Sequence, residues 1–142
     1  MARGQDSKLD LSSERGKRVQ SRLESEVIIW LATVGPDARP HAVPVWFWWD
    51  GDSFLVYSLP GQKVRDIEFN PNVELHLNTS PSGGNVVRID ATAKLLPDHA
   101  PAHAVPEYIR KYATHIKGNS WTPESFSELY HVAMRIHPTR FR

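Results

Sequence analysis

The sequence predicts a mainly β, α+β fold: an antiparallel barrel of six short strands with helices packed on its outside. Three observations predict it. Apolar, β-branched runs of strand length recur along the chain, four of them before residue 80. Clusters of Pro, Gly, Asn and Asp separate them. Strands and long helices do not alternate, so a parallel sheet built from βαβ units is not indicated.

Residues 1–12 are polar and read as a flexible arm, leaving residues 13–142 as one domain. Ser13 followed by Glu14 opens a short helix to about Glu24, with Val19 and Leu23 on its buried face. "VIIWLATVG" (27–35) is apolar on both faces, as a strand covered on both sides would be. "PDAR" turns the chain into a strand from Pro40 to Trp49, and "DGD" turns that into "SFLVYS" (53–58). Val64 and Ile67 then lie at helical spacing until Asn70-Pro71 ends the helix. "VELHLNT" (73–79) and "NVVRIDATAKLL" (85–96) alternate as strands around the loop "SPSGG". In residues 98–117 Tyr108, Ile109, Tyr112 and Ile116 form a helical stripe, broken early by Pro101 and Pro106. "TPESF" (122–126) has the form of a helix start, and "ELYHVAMRIHPTRFR" closes the chain as the last strand.

Composition excludes several classes. The chain has 142 residues, 40% hydrophobic and 23% charged, and its net charge of +1 offers nothing general to a polyanion. It has no cysteine, so disulfides, zinc–thiolate sites and thiol catalysis are excluded. No apolar run reaches the roughly 18 residues of a membrane span, and no apolar stretch follows the basic N-terminal residues as in a secretory signal. A cytoplasmic location is expected. Of the seven histidines only His99 and His103 have ligand spacing, and Pro101 between them spoils the helix such a pair needs, so no metal site is expected. Nucleophile-elbow, Walker and GxGxxG motifs are absent.

Two stretches carry chemistry. In "YSLPGQKVR" (57–65) a strand ends at Ser58, and a Pro-Gly turn leads to Lys63 and Arg65 at a helix start, the arrangement of a phosphate seat. In "RPHAVPVWFWWDGD" (39–52) Pro44 interrupts an aromatic strand. Ala42, Pro44 and Trp46 share one strand face, which describes a wall for a flat ring. A nucleic-acid surface would interleave Lys and Arg with the aromatics, and residues 40–49 contain neither.

Together with "VRIDATAKLL" (87–96) and "YHVAMRIHPTRFR" (130–142), these stretches resemble, in order and spacing, the pyridoxamine 5′-phosphate oxidase-like split β-barrel family. The match is to its flavin/deazaflavin-dependent oxidoreductase branch and covers about residues 20–142. The resemblance implies a six-stranded split barrel and a homodimer with cofactor sites at the interface. It implies that Pro44, Val45 and Trp46 meet the edge of an isoalloxazine-like ring and that Thr33 lines the same pocket. Lys63 corresponds to the family's phosphate-binding lysine, flanked by Ser58 and Val64. Just ahead of it, where relatives often carry another basic residue, this chain has Gly61 and Gln62, with Arg65 placed to compensate. Trp121 falls on a segment that reaches toward the partner's pocket.

The implied activity is hydride transfer from reduced coenzyme F-420, a deazaflavin, to a small conjugated or planar organic molecule. FMN is the alternative cofactor, and a non-catalytic flavin-binding carrier the alternative role. The acidic tail of F-420 favours a basic groove, for which Arg39, Arg65 and Arg88 are available. No residue stands out as the proton donor.

Overall fold

A computed structural model of the chain describes residue 10 and residues 12–142. The expected arm lies almost wholly outside the described residues. Helix α1 (Glu14–Ser25) is capped by Ser13, whose Oγ accepts from the Gly16 N–H at 2.9 Å, and it buries Val19 and Leu23. Then follow β1 (Ile28–Val34), β2 (Pro40–Trp46), β3 (Trp48–Trp49), β4 (Phe54–Ser58), α2 (Gln62–Phe69), β5 (Asn72–His76) and β6 (Arg88–Leu95). A 3-10 turn at Ala102–Ala104 leads to α3 (Pro106–Gly118), α4 (Pro123–Leu129) and β7 (Val132–Phe141). Pro106 ends the broken stretch by becoming the first residue of α3, and Thr122 caps α4 in a capping box with Ser125.

The sheet is antiparallel throughout, in the order β2-β1-β5-β6-β7-β4-β3. Its two outer members, β2 and β3, are joined through the single residue Phe47. The sheet must therefore curl until its ends meet, and the result is a half-barrel of seven strands, not six.

The extra strand comes from a break in the expected Pro40–Trp49 strand, and the break is at Phe47 rather than at Pro44. The Phe47 N–H donates to Tyr112 Oη at 2.7 Å, and its carbonyl accepts from Lys111 Nζ at 2.8 Å. Both backbone groups are thus taken by α3 instead of a strand. Pro44 does not release β2 from its neighbour: it sits opposite Trp30 in an unbroken register from Ile28↔Trp46 to Val34↔Pro40. Because proline has no N–H, this must be a non-hydrogen-bonded pair of the ladder, as must Val34↔Pro40. Ladder bonds then fall on Val43 and Val45. The N–H groups of Ala42 and Trp46, with the carbonyls of Ala42, Pro44 and Trp46, point away from β1 along the free edge.

Two apolar clusters form. Ile29, Leu31, Phe47, Phe54, Leu75, Ile89 and Ile136 fill the barrel. Leu55, Tyr57, Tyr108, Tyr112, Ile116 and Phe126 join α3 and α4 to the other face of β4. β4 is buried at every position, which explains its continuous apolar run. The C-terminal strand begins later than expected, because Glu128 and Leu129 finish α4. No helix among the described residues is long and apolar enough to cross a membrane.

Candidate functional site

A cavity of about 250 Å³ opens where the end of β2 meets the end of β4, and it brings together most of the residues singled out in the sequence. Pro44, Val45 and Trp46 supply one side from the free strand edge, and Ser58 and Lys63 supply another. Tyr57, Asn119, Trp121, Phe126 and Tyr130 complete it.

The polar end is built by the turn "SLPGQK". Gly61 precedes α2 and has no side chain to cap it, so among the described residues the N–H groups of Gln62, Lys63 and Val64 have no acceptor. Around Gly61 the space is open. Lys63, the second residue of α2, is half-buried, and burial lowers its pKa from the ordinary lysine value. No carboxylate among the described residues pairs with it. A half-buried ammonium beside three open backbone donors is suited to hold a dianion. Ser58 is buried next to it, its Oγ donating to the Leu59 carbonyl at 2.6 Å.

The apolar end is aromatic. Trp46 stacks on Tyr112 and on Phe126, with ring centroids 4.5 and 5.3 Å away, so its indole is held by the helices and is not a free wall. Trp121 lies 5.6 Å from both Phe126 and Tyr130 and lines the cavity of its own chain. The Tyr57 hydroxyl donates to the Ala100 carbonyl at 2.7 Å, and burial pushes its pKa up to about 12.

Three expected side chains are elsewhere. Thr33 is buried on the opposite strand face from Trp30, the partner of Pro44, and its Oγ1 donates to Asp66 Oδ2 at 2.8 Å. It therefore does not line this cavity. Val64 packs on the barrel core. Arg65, two residues beyond Lys63, is turned about 200° around the helix, where its Nη2 donates to Gln62 Oε1 at 3.2 Å. It does not reinforce Lys63. Arg39 and Arg88 also lie outside the cavity, and Arg88 sits 3.8 Å from Glu74.

The residues not foreseen are Tyr57, Asn119, Phe126 and Tyr130. Tyr57 stood in a quoted stretch, but strand alternation does not say that a strand buried on both faces ends at a cavity. The others come from α4 and the segments flanking it, which only packing brings to the end of β2.

The sequence profile described as Pyridoxamine 5′-phosphate oxidase matches residues 16–142. No curated protein matches the chain by sequence. Among solved structures, an F420 reductase superposes with a TM-score of 0.64 at 22% identity, covering 87% of this chain and 94% of its own. A FAD-binding protein of Mesorhizobium loti gives 0.64 at 20% identity, covering 88% of each chain. HutZ, a heme storage protein of Vibrio cholerae, gives 0.60 at 16% identity, covering 86% of this chain and 88% of its own. At these identities the likeness is one of fold alone.

Proposed function

The chain belongs to the pyridoxamine 5′-phosphate oxidase family, and from that premise we propose that it is an oxidoreductase dependent on a flavin-type ring. In this reading the coenzyme is F-420, with FMN as the alternative, and the substrate is a small conjugated or planar organic molecule. The observation that carries the proposal is Lys63: a half-buried ammonium with no carboxylate partner among the described residues, beside an uncapped helix start and an aromatic cavity.

When bound, such a ring supplies the hydride, and the protein supplies position and exclusion of water. Lys63 and the N–H groups of Gln62, Lys63 and Val64 hold the phosphate. The outward N–H of Trp46 and carbonyl of Pro44, on the free edge of β2, would meet the polar edge of the ring. Trp121, Phe126 and Tyr130 keep water from its face. The cavity, at about 250 Å³, is smaller than the usual range of roughly 300–1,000 Å³ for a site that encloses a whole ligand. A second copy of the chain completes it, so the working unit is a homodimer. The donor set favours an organic ring over haem: no imidazole among the described residues lines the cavity, and the Tyr57 phenol is already tied to Ala100.

That tie also supports a second reading, a non-catalytic carrier of the same ring. Burial raises the Tyr57 pKa to about 12, and its hydroxyl is committed to the Ala100 carbonyl. The two readings separate by assay. Titration with F-420 and with FMN, followed through tryptophan fluorescence, is expected to saturate with at least one of them. The reduced complex is then challenged with enones and quinones. Oxidation of the cofactor by any of them supports the enzyme, and stability against all of them supports the carrier. Failure of both coenzymes to bind overturns both readings.

A further inference from the structure

Asp66 is a buried polar group that lies outside the cavity. Its side chain is 0% exposed, yet no lysine or arginine among the described residues pairs with it. Gln62 Nε2 donates to Oδ1 at 2.7 Å, Thr33 Oγ1 donates to Oδ2 at 2.8 Å, and His41 Nδ1 lies 3.0 Å from Oδ2. A carboxylate only accepts, so Nδ1 is the protonated nitrogen of His41. Burial pushes the carboxyl pKa up, but the bonds from Gln62, Thr33 and His41, with the His41 charge when present, outweigh it and hold the group below the ordinary value. The hairpin backbone also closes on it: a Cβ at Gly35 would overlap Oδ1 and force it to shift.

These contacts come from three elements. Gln62 and Asp66 belong to α2, Thr33 to β1, and His41 to β2. α2 carries Lys63, one turn before Asp66. β2 carries His41 three residues before Pro44. The other anchors of α2, Val64 and Ile67, are apolar and non-directional, and its N-terminus has no side-chain cap. A fully buried carboxylate whose ionisable partner is a half-exposed histidine is an expensive way to gain stability alone, because an apolar residue in its place would avoid the desolvation cost. What it provides is direction.

We propose that Asp66 is a positioning residue: it clamps α2 to the β1–β2 hairpin and thereby sets the distance between Lys63 and the Pro44–Trp46 edge. The proposal rests on the reading that Lys63 holds the phosphate of the coenzyme. Asp66 is buried and does not line the cavity, so it acts only through Lys63, and its effect is confined to ligands that carry the phosphate.

The test compares binding of FMN with riboflavin, and of F-420 with its phosphate-free deazaflavin chromophore, in the full chain. Wild type is expected to prefer the phosphorylated member of the pair it binds, and Lys63→Ala to erase that preference. Asp66→Asn and His41→Ala are expected to lower the preference at least about fivefold, with the phosphate-free affinity held within about twofold, a loss in the range of one ordinary hydrogen bond. His41→Gln, which keeps a donor, is expected to restore most of it. His41 is 37% exposed, so its removal spares the fold even where Asp66→Asn does not. A preference unchanged in Asp66→Asn and His41→Ala, with Lys63→Ala having lost it, overturns the clamp and leaves the phosphate seat standing. Equal weakening of both members of the pair makes Asp66 a general stabiliser and also overturns the clamp. Absence of any preference in wild type defeats the phosphate seat first, and the clamp with it.

Discussion

The Trp46 indole lies 4.5 Å from the ring of Tyr112, with only 4° between their planes. One residue ends the free edge of β2 and the other stands mid-way along α3, so this stack fixes the helix against the cavity wall. Tyr112 also anchors the strand break: its Oη accepts from the Phe47 N–H and donates to the Val27 carbonyl, each at 2.7 Å. Tyr112→Phe keeps the stack but leaves the buried Phe47 N–H unpaired. A loss of about 1–3 kcal/mol in urea-unfolding free energy is expected.

Lys63 and Arg65 make a contrasting pair. Lys63→Ala is expected to weaken binding of FMN or F-420 by roughly 1.5–3 kcal/mol, the scale of a charge-assisted hydrogen bond. Arg65→Ala, on the other side of α2, is expected to change it little. Isothermal titration of the two variants side by side checks this, and equal losses would contradict the geometry of the helix start.

Gly35→Ala sets a methyl group against Asp66 Oδ1. Overpacking of this kind costs about 1–3 kcal/mol. The expected outcome is a lowered unfolding midpoint, and a variant as stable as wild type would show that the hairpin does not close on Asp66.

The Asp66 carboxyl has a lowered pKa in the folded chain. The stabilisation linked to that shift is fully present above the unfolded value of about 3.8, and it is lost as pH falls through the folded value. The stability difference between wild type and Asp66→Asn is therefore expected to be flat near neutrality and to shrink only in acid below about pH 3.8. Paired denaturation curves across that range read it directly.

Lys111 gives the same sign in an alkaline window. Burial, partly offset by Glu26, lowers its pKa to about 8, although its Nζ donates to the Phe47 carbonyl and lies 3.7 Å from the centre of the Phe47 ring. Between about pH 8 and the ordinary lysine value of 10.5 the unfolded chain binds more protons than the folded one, so folding strengthens as pH rises. Relative to Lys111→Met, wild type is expected to gain stability across that window, and a flat difference would count against the buried amine.

Much of this was legible in the sequence because local burial has a period. Alternating runs marked the strands, Ser13 and Thr122 marked helix starts, and Asn70-Pro71 marked a helix end. The two stretches around Pro44 and Lys63 stood out by their residue types, and the structure brings both to one cavity. Thr33 and Arg65 were expected beside them and are not, since strand alternation and the helix turn carry each away from the cavity.

Contacts between distant residues come from the packed fold alone. The strand breaks at Phe47 because Tyr112, 65 residues away, takes its N–H. Asp66 is buried because Thr33 and His41, 33 and 25 residues before it, supply donors. The aromatic side of the cavity exists because α3 and α4 fold back on β4. Sequence by itself determined which faces are apolar and where elements start and stop, since those are properties of a few neighbouring residues. Which faces meet depends on how curled strands and helices pack, and no local pattern carries that.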